Sequence, residues 1–75
     1  MSELIREATR DGRRVALLRC YDDNGTAVVE AQITPHHANS VPVARGPYRF
    51  TTAADAFRFV QEALLALQYL GCTVT

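Results

Sequence analysis

The stretch TTAADAFRFVQEALLALQYLG, residues Thr51 to Gly71, decides what this chain can build. Thr52 suits an N-cap, Asp55 falls three residues later in the first turn, and Gly71 sits where a left-handed C-terminal residue belongs. Between them Ala53, Ala56, Phe57, Val60, Ala63, Leu64 and Leu67 recur at helical spacing. That spacing predicts one amphipathic helix with a single apolar stripe, which has to lie on something. No other segment is long enough to organise a core.

The something is a sheet. Arg13 to Tyr21 and Thr26 to Thr34 are two strand-like runs joined through Asn24-Gly25, the preferred pair for a two-residue type I′ turn. Closing the hairpin there sets Asp23 opposite Thr26, Tyr21 opposite Val28, Cys20 opposite Val29 and Arg19 opposite Glu30. Leu18 then meets Ala31, Leu17 meets Gln32, and Ala16 meets Ile33. One face collects Ala16, Leu18, Cys20, Val29, Ala31 and Ile33, while the other gains the Arg19–Glu30 cross-strand pair. A slip of one residue would bury the charges, so the pattern supports this register.

Toward the N-terminus, Glu3 to Arg10 reads as a further strand. A type I turn with a Gly bulge over Thr9-Arg10-Asp11-Gly12 would set Leu4 opposite Leu18 and Glu3 opposite Arg19. The other reading of the same residues is a short helix from a Ser2 cap to a Gly12 stop. Pro35 to Arg45 reads as a long loop, and Tyr48 to Phe50 as a short strand after Gly46-Pro47. Phe50 is placed to pack on the first helical turn. The expected fold is α+β, one domain over residues 1–75. It is an antiparallel meander of three or four strands with the long C-terminal helix across one face. The order is ββββα, with αβββα as the alternative.

Composition narrows the function classes. A chain of 75 residues buries only roughly 60% of the surface its unfolded state exposes, so a small scaffold of this size usually needs a staple or a partner. Hydrophobic residues make up 48% of it, which argues against disorder. The formal charge is zero, which argues against holding a polyanion by bulk electrostatics alone. All eight basic residues are Arg, a bias that a GC-rich genome of bacterial type produces without any functional cause. Cys20 and Cys72 do not make a disulfide framework. Met1 to Arg14 lacks the apolar run of a signal peptide, and no segment approaches the roughly 20 apolar residues that span a bilayer. A cytoplasmic protein with reduced thiols is the expectation.

No constellation points to catalysis, and no cofactor is expected. His36-His37 point in different directions along the chain and lack the further ligands of a tetrahedral site, so no metal is expected. The four glycines are dispersed as turn or cap residues and form no phosphate-cradling loop. Ser2, Ser40 and the two cysteines lack a local nucleophile motif. Asp22-Asp23 are turn formers. The nucleic-acid alternative rests on Arg13, Arg14, Arg19, Arg45 and Arg49, with Tyr48 or Tyr21 as stacking platforms. Against it, six carboxylates share the same region.

Surplus apolar surface makes the strongest functional case. The outer sheet face carries Val15, Leu17, Tyr21 and Val28 beside its charged pair. On the helix, Phe59 and Leu70 widen the stripe on one flank, while Leu65 and Tyr69 fall on the polar side. That is more than a small monomer normally displays. The reading is a non-catalytic binding or regulatory module that acts through protein–protein association, most simply as a homodimer.

Overall fold

The computed structural model describes residues 3–34 and 41–75. Four antiparallel strands follow one another: β1 (Leu4–Arg10), β2 (Arg13–Asp23), β3 (Thr26–Ile33) and β4 (Val43–Phe50). Helix α1 (Ala53–Tyr69) then crosses one face, and the chain ends in a short fifth strand, β5 (Thr73–Val74). The sheet order is β4-β3-β2-β1-β5, so helix and return strand carry the chain from one sheet edge to the other. Leu4–Arg10 is a strand, which settles the order as ββββα plus β5 and removes the αβββα alternative.

The β2–β3 hairpin has the expected register at every pair from Asp23↔Thr26 to Ala16↔Ile33. The β1–β2 pairing does not. Asp11 and Gly12 both take positive φ, 54° and 77°, the requirement of a two-residue type I′ turn. Arg10 therefore pairs with Arg13, and Thr9 with Arg14. A bulge at Val15 then moves the register, so that Leu4 faces Cys20 and Ile5 faces Arg19. The shift from the expected pairing is two residues, which keeps Leu4 on the core face. The extra residue also turns Arg14 to the same side as Val15, where its Nε meets Glu7 Oε2 at 2.6 Å.

Strand β4 begins earlier than its sequence suggests, because Gly46-Pro47 kink the strand without ending it. Tyr48 pairs with Val29 and Arg45 with Ala31, leaving Gly46 and Pro47 together opposite Glu30. Gly46 has a φ of 94°, and a Cβ there would come within 3.0 Å of the Val29 carbonyl oxygen and the Tyr48 backbone nitrogen. The bulge therefore requires glycine.

Helix α1 starts and stops where expected. Thr52 is the N-cap, its Oγ1 accepting from the Asp55 backbone N–H at 3.1 Å. At the far end Gly71 donates to the Gln68 carbonyl and Cys72 to the Leu67 carbonyl, the paired bonds of a Schellman motif. The buried stripe is Ala56, Val60 and Leu64, with Phe59, Ala63 and Leu67 half-buried beside it. They lie on Leu18, Cys20, Ala27, Val29 and Ala31 of the sheet. Phe57, expected in the stripe, stays 47% exposed. Phe59 takes the packed position instead, its ring 5.2 Å from Tyr48 and 5.4 Å from Phe50. Two aromatics on β4 thus meet the helix at this flank.

Candidate association surfaces

Among the described residues, α1 covers one face of the sheet. The other carries Ile5, Glu7, Leu17, Arg19, Tyr21, Glu30 and Gln32 by strand alternation, with Val15 added at the bulge. No described element packs over it. Ion pairs lace its surface: Glu3 and Glu30 flank Arg19 at 2.5 Å and 3.7 Å, and Glu7 holds Arg14. The Tyr21 hydroxyl donates to Glu30 at 3.0 Å, and the Arg19 guanidinium lies 4.9 Å above the Tyr21 ring. Accepting that hydrogen bond, the Glu30 carboxylate pushes the Tyr21 phenol above its usual range, and burial adds to the effect. The Glu3 carboxylate, by its hydrogen bond and its charge, raises the Arg19 guanidinium further still.

Val15, Leu17 and Tyr21 are half-buried on this face, each with surface left to offer. Val28 corrects the sequence reading: it points outward but retains 0% of its surface. Its partner on β4, Arg49, reaches across β3 to Asp23 Oδ2 at 3.3 Å. Ile5, 54% exposed, takes its place as the face's open apolar residue. Its alternation with Leu4 and Arg6 was a usable signal.

The helix flank divides in the same way. Phe59 packs on Tyr48 and Phe50 and is half-buried there. Leu65, Tyr69 and Leu70 are all exposed, Tyr69 almost completely. Leu65 and Tyr69 sit one turn apart on the side of α1 facing away from the sheet.

The arginines of the nucleic-acid reading fall on both faces of the sheet. Arg14, Arg19 and Arg49 lie on the outer face and each is paired with a carboxylate. Tyr48 and Arg45 lie on the helix side, Tyr48 packed on Phe59. Arg13 is exposed beside the Asp11-Gly12 turn. The outer face thus brings Tyr21 together with Arg14, Arg19 and Arg49, whose guanidinium groups already hold carboxylates, and Tyr48 lies with Arg45 on the other face.

Both cysteines are free. Cys20 is buried, and that burial pushes its thiol up, away from the thiolate a nucleophile needs. His36, His37 and Ser40 lie outside the described residues; among those described, no three metal-binding side chains gather. Nor is any described helix long and apolar enough to cross a membrane. No family model matches the chain, and comparison with curated proteins and solved structures finds no similar protein.

Proposed function

We propose that this chain is a non-catalytic binding module that associates with a second copy of itself through the outer face of the sheet. The reading rests on one observation: a five-stranded sheet with α1 on one side and, among the described residues, no element on the other. Ile5, Val15, Leu17 and Tyr21 supply the apolar area. The charges around them nearly balance, Arg14, Arg19 and Arg49 against Glu3, Glu7, Asp23 and Glu30, so a twofold copy meets little net repulsion. Two sheets packed face to face at about 10 Å are a common way to bury such area. A cytoplasmic setting, with both thiols reduced, goes with this reading.

Light scattering behind size exclusion at micromolar concentration tests it. The expected mass is twice 8.3 kDa. Leu17→Asp, in the middle of the outer face, is expected to give a monomer, while Leu65→Asp on the exposed side of α1 leaves the pair intact. A wild-type monomer at every concentration overturns the reading, and splitting by Leu65→Asp alone moves the interface to the helix.

A further inference from the structure

Along its outer edge β1 is paired over only part of its length. β5 meets it at Ala8 and Thr9, and the last contact is a reciprocal pair of hydrogen bonds at Glu7. There the Glu7 N–H donates to the Thr75 oxygen at 3.2 Å, and the Glu7 carbonyl accepts from the Thr75 N–H at 2.9 Å. Glu7 thus turns its backbone polar groups away from β2. Ile5, two residues earlier in the same strand, turns its N–H and carbonyl the same way. Among the described residues no strand lies opposite Ile5 on that side.

The same corner of the molecule is open beneath the helix. An apolar cleft of about 680 Å³ runs between α1 and the sheet at the end of β1 that β5 does not reach. Leu4, Cys20 and Ala27 floor it, and Phe57, Val60 and Leu64 wall it. The charges at its rim are already answered within the chain. The Arg6 Nε donates to the Thr75 oxygen at 2.9 Å, Glu3 holds Arg19, and Asp22 accepts from the Gly25 N–H at 3.4 Å. What the corner leaves unmet is a backbone donor and acceptor on the edge and an uncharged apolar cleft beside them. An extended peptide answers both at once, because its backbone groups and its side chains alternate with the spacing of a strand.

We propose that the edge of β1 at Leu4–Arg6 takes an extended, uncharged peptide as an added strand, antiparallel to β1 and in line with β5. The peptide residue opposite Ile5 exchanges backbone hydrogen bonds with it. The apolar side chains on either side of that residue enter the cleft against Leu4, Phe57 and Leu64. One hydrogen-bonded pair is too little to hold a strand, so the cleft decides which peptides bind. This edge is separate from the face proposed for self-association, and the assignment does not rest on that reading.

An acetylated and amidated heptapeptide of alternating leucine and serine tests the assignment, titrated into the protein while amide shifts and hydrogen exchange are followed. Saturable binding is expected, with shifts at Leu4, Phe57 and Gln61 and with exchange of the Ile5 N–H slowed about ten-fold or more. In this register the serines turn their N–H groups toward Ile5 and the leucines turn theirs away. N-methylation of the serines is therefore expected to weaken binding about ten-fold, and N-methylation of the leucines to leave it within about two-fold. Glutamate in place of the leucines is expected to abolish binding. Ile5→Pro removes the edge donor without touching the β2 ladder and should weaken binding as serine methylation does. The Leu17→Asp variant should bind the peptide as the wild type does, whatever its oligomeric state. The proposal is overturned by non-saturable shifts, by shifts centred on Leu17 and Tyr21, or by an unchanged Ile5 exchange rate at saturation. Equal tolerance of the two methylation patterns overturns it as well, since an apolar guest held by the cleft alone would not distinguish them.

Discussion

At Cys20 the helix closes over a thiol that its neighbours keep neutral, whereas Cys72, just past the end of α1, is only half-covered. Native protein at pH 8 should therefore show one thiol reacting rapidly with Ellman's reagent, and the second only after denaturant is added. The same burial makes stability pH-dependent. With its folded pKa raised, Cys20 stays protonated after the unfolded thiol has begun to ionise at about pH 8.5. Its contribution is complete below that value and is lost as pH climbs toward the folded pKa. Urea midpoints measured between pH 7.5 and 9.5 should fall, and Cys20→Ala should flatten the slope. Tyr21, also raised, adds a similar loss only above about pH 10. Val28 shows how far a single residue's fate can escape local pattern. Alternation correctly puts it on the outer face but gives no sign that it is fully buried there.

Among the elements, α1 depends most on its ends. Thr52→Ala removes the acceptor for the Asp55 N–H and should cost about 1 kcal/mol in urea unfolding; Thr52→Ser should recover most of it. The caps, the helix limits and the β2–β3 register were all legible in the sequence, since each follows from interactions within a few residues or from a turn of fixed length. What escaped involves distance or irregularity. The β1–β2 register slipped by two because a two-residue turn plus a bulge at Val15 resembles one longer turn. The first half of β4 looks like loop in the sequence because Gly and Pro are turn formers, and here the pair forms a bulge against Glu30. Thr73-Val74 carry no strand signal of their own; they are a strand because β1 offers Ala8 and Thr9. The stripe was right in period but misplaced at one flank, where Tyr48 and Phe50 chose Phe59 over Phe57. Of the candidate surface, Val15, Leu17, Tyr21, Leu65, Tyr69 and Leu70 could be placed from periodicity. Ile5 and the cleft under Phe57 needed the tertiary placement of the helix.

For the whole molecule, one layer of helix on one layer of sheet leaves stability tied to whatever meets the bare side. If a second copy does, the thermal midpoint should rise with protein concentration, because the paired native state is favoured by mass action while the unfolded chain is not. Leu17→Asp should remove that dependence and lower the midpoint at high concentration. The sheet's margins bear on how large such an assembly becomes. One margin is β4, kinked at Gly46-Pro47, and the other ends in a strand of only two residues. Neither offers a long straight ladder of free amides to a newcomer. Growth by adding strands sideways is thus discouraged, and the helix blocks stacking on the far side. If two copies do join across the uncovered face as proposed, that step leaves no sheet face for a third, and assembly stops at a pair instead of running on into a fibril.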